Sequence, residues 1–282
     1  MLTRRILSFG ILAFQRDDGY SSQRRAGVTR RAKWGDRKLT AQRKLTGRVP
    51  REAIFRMDLP ALAPGMLERF RQLDDLTGDV SDAIDQLGLR GAIPAATLAP
   101  SLPGARMVGQ AVTVRNVERS ESVARAAASG VGLMGEHEAY NLAEPGHVVV
   151  IEGLVDASNM GGQSATLAAR AGCAGAIIDG SYRDPQVSRE RGFPIWSRGV
   201  TPITGKWRLR TVAINGPVRI AGVCVEAGDL VVADDAGIVF VPFAHIDEVL
   251  REAERIAAGD NRQKKDIDGG IDLATLAATR YK

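Results

Sequence analysis

Cysteine is scarce: Cys173 and Cys224 are the only two in 282 residues, far apart and outside any CxxC. That excludes a disulfide framework or a cysteine-built metal cluster, and a reducing compartment, the cytoplasm, fits. No apolar run reaches the ~20 residues that cross a bilayer, so no membrane span is expected. Nothing recurs at solenoid spacing, which excludes a repeat array. What is present is ordinary for a globular chain: 44% hydrophobic and 25% charged residues, enough for one large domain or two small ones.

The net charge of +5 hides an asymmetry. Residues 1–51 carry 14 Lys/Arg against 3 Asp, a net +11, so the remainder nets −6. Residues 1–56 therefore read as a basic extension that buries too little apolar surface to offset its ordering entropy. Two functional readings compete with that one: a nucleic-acid arm using its charge on phosphates, and a targeting peptide, from the twin arginine of "TRRILSFGILAF", although no A-x-A-like site follows. Ordered patterning is expected from Met57, giving a domain over 57–262 and a tail over 263–282.

Within the domain, "GMLERFRQLDDL" places Met66, Phe70 and Leu73 at helical spacing, and "TGDVSDAIDQLG" reads as a short helix with a glycine stop. "MVGQAVTVRNV" alternates as a strand, "ESVARAAASGVGLM" reads as a helix, and "EPGHVVVIEG" as a turn and buried strand. "SATLAARAGCAG" is helical, "AIIDG" a strand, "DPQVSRERG" a helix opened by proline, and "FPIWSRG" a short strand. After these βαβ units, "PVRIAGVCVEAGDLVVADDAGIVFVP" is a β meander with turns at "EAGD" and "DDAG", and residues 245–258 form a closing amphipathic helix. The class is α/β, a single mixed domain.

Two loops carry the chemistry. Gly161-Gly162 precedes a helix; glycine admits positive φ and close approach of the backbone to a ligand. The amides of Gly161, Gly162, Gln163 and Ser164 then sit at a helix N-terminus, which favours an anion. The helix returns to the strand before Arg183 and Asp184, so both loops fall at carboxyl ends of neighbouring strands, the usual ligand crevice. Arg183 can hold a carboxylate through two parallel N–H···O bonds. Asp184 is a hard oxygen ligand suited to Mg²⁺ or Mn²⁺, with water left on the cation for a substrate to displace. A 2-oxo acid fits: its carboxylate on Arg183 and the amides, its keto oxygen and one carboxylate oxygen on the metal. Each motif alone is more often a tight turn or a solvated surface; it is their co-occurrence across one βαβ unit that points to a site.

"GGQSATLAARAGCAGAIIDGSYRD" resembles the signature of the RraA-like family, which includes regulators of ribonuclease activity A and divalent-metal 4-hydroxy-4-methyl-2-oxoglutarate aldolases. The family spacing is a glycine, twenty residues, then Arg-Asp, and residues 163–182 separate Gly162 from Arg183 here. The likeness covers most of 66–258 and none of the basic extension. It implies a swivelling-type α/β/β fold, trimers or dimers of trimers with sites at subunit interfaces, substrate on Gly161, Gly162, Gln163, Ser164 and Arg183, and metal on Asp184. The implied function is a metal-dependent lyase on 2-oxo acids, an aldolase or an oxaloacetate decarboxylase that releases pyruvate. The alternative is a non-catalytic regulator that docks on a ribonuclease or other protein. Methyl transfer, a label some relatives carry, is excluded because no glycine-rich methyl-donor motif follows a first strand.

Two positions depart from the aldolase pattern. The motif R-D-x-x-(E/D) has Val187 where its acid belongs, with Glu190 the next acid, and Gly162 stands where several aldolases place aspartate. Such carboxylates orient metal-bound water, so their loss weighs on aldol cleavage more than on decarboxylation. Of the three histidines, His137 is a candidate acid–base group or ligand that reads more readily as structural; His147 lies in a turn and His245 is a potential helix cap. Asp234 and Asp235 could face a neighbouring subunit's metal but read as a hairpin turn. Tyr182 and Trp196 either line the pocket or pack.

Overall fold

A computed structural model of the chain describes residues 44–282. The readings of the basic extension lie, for residues 1–43, outside the described residues. Residues 44–56 belong to the domain rather than to a free extension. Val49 and Ile54 are buried, the Phe55 N–H donates to the Ile214 carbonyl at 3.0 Å, and Thr46 N–H donates to Glu138 at 2.7 Å. Packing thus starts well before Met57, because this stretch covers apolar surface that the sheet would otherwise expose.

Two short helices come first, α1 (Met66–Arg71) and α2 (Leu76–Gln86). Asp75 caps α2 by accepting from the Gly78 N–H, and Gly88, at φ 68°, ends it. Strands β1 (Ala92–Pro94), β2 (Ala99–Pro100) and β3 (Met107–Glu118) follow, then α3 (Val123–Ser129) and α4 (His137–Leu142). The βαβ units are β4 (Val148–Glu152), α5 (Gly162–Arg170), β5 (Gly175–Tyr182), α6 (Pro185–Glu190) and β6 (Ile195–Val200). The last third holds β7 (Leu209–Ile214), the hairpin β8 (Val218–Ile220) and β9 (Val223–Val225), β10 (Leu230–Ala233) and β11 (Gly237–Val241). Helices α7 (Ile246–Asp268) and α8 (Leu273–Ala278) close the chain.

The main sheet runs β1-β11-β10-β3-β4-β5-β6-β2, with β7 also on β3. Strand β3 is shared. Its first four residues pair antiparallel with β10, residues 111–115 pair parallel with β4, and residues 114–118 pair antiparallel with β7. The sheet curls, and the period-2 alternation of side chains splits each strand between two cores. On one face Met107, Ala111, Val150, Ile177, Val231 and Phe240 meet one another. On the other face, Val108, Val232 and Val239 lie under α1, α2 and α7, while Val114, Ile151 and Ile178 lie under α4 and α5. With both faces covered, the strands read as continuous apolar runs such as "VVVI".

The expected elements are present with shifted ends. The helix expected across "ESVARAAASGVGLM" stops at Ser129, because Gly130 turns left-handed at φ 69°. The closing helix runs ten residues past 258, and the expected tail is docked on it. Gly259 makes room: a β-carbon there would lie 2.3 Å from the Tyr281 carbonyl oxygen. Tyr281 donates its hydroxyl to Asp266 at 2.7 Å, and Lys282 pairs with Asp82 and Asp260. No described helix is long and apolar enough to cross a membrane.

Candidate functional site

Strands β4 and β5 are parallel neighbours, so the segment leaving β4 (153–161) and the one leaving β5 (183–184) emerge on the same edge. They are joined there. The Asn159 N–H donates to the Ser181 carbonyl at 2.9 Å and the Arg183 N–H to the Met160 carbonyl at 3.0 Å. Asn159, fully buried, holds the first segment in shape: its amide donates to the carbonyls of Leu154, Ala157 and Ser181. Its Oδ1 accepts from Asn116, whose own oxygen accepts from Thr211. This buried polar network is closed by bonds on every member, which favours a single conformation.

On that frame Gly161, Gly162, Arg183 and Asp184 come together. The Gly162 N–H, the first of α5, donates to Asp184 Oδ2 at 2.8 Å, and Arg183 Nε lies 3.6 Å from the same oxygen. The two side chains are 40% and 45% exposed, so this adjacent pair adds little stability and both groups remain open to a ligand. Asp184 adopts the left-handed conformation (φ 60°, ψ 51°) as the N-cap of α6, one that aspartate and asparagine enter more readily than other non-glycine residues. This turn aims the carboxylate at α5 while Pro185 starts the next helix.

Neither glycine takes positive φ, contrary to the expectation from sequence; Gly161 is extended at φ −107°. Close approach is what requires glycine at 162, where a β-carbon would lie 2.9 Å from the Val187 Cγ2 methyl and 3.1 Å from the Asp184 β-carbon. Gln163 is exposed in the first turn of α5. Ser164 is buried, and its side chain turns to α4: Oγ donates to Glu136 Oε1 at 2.9 Å and meets the Tyr140 hydroxyl at 3.0 Å. The N–H groups of Gln163 and Ser164, in the first turn, have no intrahelical acceptor and can serve an anion.

Both contacts of Asp184 fall on Oδ2; among the described residues no hydrogen bond engages Oδ1. No group of three or more His, Cys, Asp or Glu that could hold a metal exists among the described residues. A cation here would rest on Asp184 with water and substrate oxygens completing its shell, which suits Mg²⁺.

The remaining candidates separate. Glu190 is exposed and lies along its own helix, accepting from Gln186 at 2.8 Å. Asp234 bonds Thr77 and the Ala236 N–H, and Asp235 bonds the Gly104 N–H; they brace the hairpin beside a 310 Å³ depression whose acids are thereby engaged. Trp196 is fully buried and donates to the Asp234 carbonyl. Tyr182 packs in the core, where burial raises its hydroxyl pKa. His147 Nδ1 accepts from the Glu144 N–H. His245 makes no side-chain cap and pairs with Glu248. His137 stacks edge-on against Tyr140 and stands 3.9 Å from Glu136. Sequence reasoning passed over Glu136 and Asn159; the only available signal was the position of each beside a flagged residue.

The RraA-like family pattern (Aldolase/RraA) matches residues 77–240. A Halalkalibacterium halodurans protein named "Putative 4-hydroxy-4-methyl-2-oxoglutarate aldolase" is 31% identical over 194 residues, 68% of this chain and 84% of that protein. Protein DlpA of Legionella pneumophila is 25% identical over 230 residues, 80% of this chain; the match spans only 35% of that protein's own length. The crystal structure of Streptomyces coelicolor RraAS2, described as an unusual member of the RNase ES inhibitor RraA protein family, shares the fold. Its TM-score is 0.58 at 24% identity, covering 74% of this chain and 98% of that one.

Proposed function

This chain belongs to the RraA-like family, and from that premise we propose that it is a divalent-cation-dependent carbon–carbon lyase of small 2-oxo acids. Its preferred reaction is decarboxylation of oxaloacetate to pyruvate, with cleavage of 4-hydroxy-4-methyl-2-oxoglutarate slower. The observation that carries this reading is the convergence of the Gly162 N–H and the Arg183 guanidinium on one carboxylate oxygen of Asp184. An anion-binding turn, a bidentate carboxylate clamp and a hard ligand thus lie within one side chain of each other.

Arg183 holds the substrate carboxylate, giving up its weak contact with Asp184, and the first-turn N–H groups of α5 orient that carboxylate from the other side. Asp184 would hold Mg²⁺ or Mn²⁺, which when bound supplies Lewis-acid stabilisation of the charge that builds on the keto oxygen. In decarboxylation the C3–C4 bond breaks, CO₂ leaves, the electron pair stays on the pyruvate fragment, and a solvent proton ends on C3. No base is needed at the outset. Aldol cleavage must first remove the substrate hydroxyl proton, and the positions that would orient water for that task are Gly162 and Val187. The half-exposed side chains of Arg183 and Asp184 support an assembly, a trimer or dimer of trimers, in which a neighbouring protomer closes the site.

The test is pyruvate release from oxaloacetate, measured against Mg²⁺ alone. Saturable turnover above that background, abolished by EDTA and restored by Mg²⁺, is expected. A chain that adds nothing to the Mg²⁺ rate sinks the proposal and leaves the regulatory-binding alternative, which the carboxylate-free contact of Val187 with Gly162 favours.

A further inference from the structure

Residues 44–282 carry 27 Lys/Arg against 30 Asp/Glu, so the folded domain is mildly acidic, yet its free cations are gathered. Arg69, Arg115, Arg198, Arg251 and Arg255 each pair with a carboxylate, whereas Lys206, Arg208 and Arg210 of "GKWRLR" have no acidic partner among the described residues. Three cations within five residues, with a tryptophan between them, stand on one turn and the start of β7.

The turn is built to present them. Gly205 seats it on the segment leaving β4: a β-carbon there would lie 2.1 Å from the Ser158 carbonyl oxygen. The Gly205 carbonyl accepts from the Arg208 and Leu209 N–H groups, each at 2.8 Å. Lys206 is exposed and Trp207 half-buried. Lys206 Nζ lies 4.3 Å from the centre of the Trp207 ring, a cation–π contact that holds the indole among the charges. Arg208 spends one nitrogen on the Thr204 carbonyl at 3.1 Å. Arg210 is exposed, and its guanidinium makes no hydrogen bond among the described residues.

The flanks add charge of the same sign. The Arg119 N–H donates to the Arg208 carbonyl at 2.7 Å, and the Arg119 guanidinium holds the Val131 carbonyl and Glu121. Glu121 also meets Arg125, which is 83% exposed. Arg48 is exposed beside Gly135, whose N–H donates to the Thr211 hydroxyl at 2.7 Å. Against these six cations stand two acids, Glu118 and Glu121. Such a face attracts polyanions. Phosphates along a flexible strand match cations spaced along a turn, and an indole among them offers a base a surface to stack on. An acidic polypeptide would use the charge and leave the ring idle.

We infer that this face docks single-stranded nucleic acid, with Lys206, Arg208 and Arg210 on phosphates and Trp207 against a base. The inference goes beyond the lyase reading and does not depend on it.

The probe is a fluorescent oligouridylate of about 20 nucleotides containing 4-thiouridine, mixed with the full chain. Anisotropy is expected to give roughly micromolar affinity at about 50 mM salt, weakening steeply as salt rises. Trp207→Ala is expected to lose roughly tenfold in affinity, and Trp207→Phe, which keeps a ring, much less. Replacing Lys206, Arg208 and Arg210 together by alanine should lower the slope of log affinity against log salt by about 2. Residues 1–43 bring eleven further Lys/Arg, so position is read directly: ultraviolet crosslinks on wild type should map to residues 203–210. Crosslinks confined to 1–43 overturn the inference without any variant, as does no binding at low salt. Affinity unchanged in Trp207→Ala, with polyglutamate displacing the strand at equal charge, would assign the face to acidic polypeptides and overturn it too.

Discussion

Val187 stands against Gly162, so closely that a β-carbon on the glycine would lie 2.9 Å from the valine Cγ2. The two departures from the aldolase pattern are therefore one contact. At these two positions a small residue and an apolar one pack together, so a side chain added at 162 must displace Val187.

Gly162→Asp is expected to destabilise the protein by about 1–3 kcal/mol through overpacking. Combining it with Val187→Ala should return most of that loss. Thermal melts of both single variants and the double variant measure the coupling; additive losses would show that the two side chains do not compete for space.

Asp184→Asn should fold like wild type, because asparagine tolerates the left-handed conformation as aspartate does. It should lose metal-dependent oxaloacetate turnover on the order of 10²-fold or more. Asp184→Ala adds a backbone cost and is the poorer test. Full activity in a folded Asp184→Asn protein would remove this residue from the mechanism.

Arg183→Lys keeps the charge but not the planar fork. Its kcat/KM is expected to fall roughly tenfold, and that of Arg183→Ala roughly a hundredfold or more, with the deficit largest for dianionic substrates. Equal kinetics for lysine and arginine would mean that a point charge suffices and that the bidentate clamp is not used.

A chain shortened to begin at Met57 loses Val49 and Ile54 from the core under β3 and β7. About 3–5 kcal/mol of burial goes with them, which lowers the melting temperature by on the order of 10 °C relative to a chain beginning at Lys44. Indistinguishable melts would place those residues outside the folding unit.

Burial, with Asp75 and Asp260 adding like charge, pushes Asp79 up to about 6. The folded state therefore binds this proton more tightly than the unfolded state. The associated stability is present below about pH 4, fades as pH rises to about 6, and is absent above. Asp79→Asn should flatten that slope and stabilise the protein at pH 7 by on the order of 1–2 kcal/mol. Melting temperature against pH for both proteins checks it.

The elements that sequence exposed most clearly were those whose apolar period is unbroken: β3, the "VVVI" of β4, α2 with its glycine stop, and the start of α7. Gly161, Gly162, Arg183 and Asp184 were also legible, because residue type and spacing across one βαβ unit suffice to place two loops on one edge. Glu136 was not: it meets Ser164 across 28 residues, and nothing local marks a carboxylate whose partner arrives through tertiary packing. Strand β7 was missed because "LRTVAI" earns its place by pairing with β3 rather than by its own pattern. The end of α7 was missed because residues 259–268 are polar and hold a helix by receiving the chain's last residues.

A single strand, β3, stitches the antiparallel β10–β11 ribbon to the parallel strands that carry the crevice. Neither part can come undone and leave the other with an intact edge. The domain should melt as one body, and no proteolytic fragment cut within 107–118 should survive as a folded half.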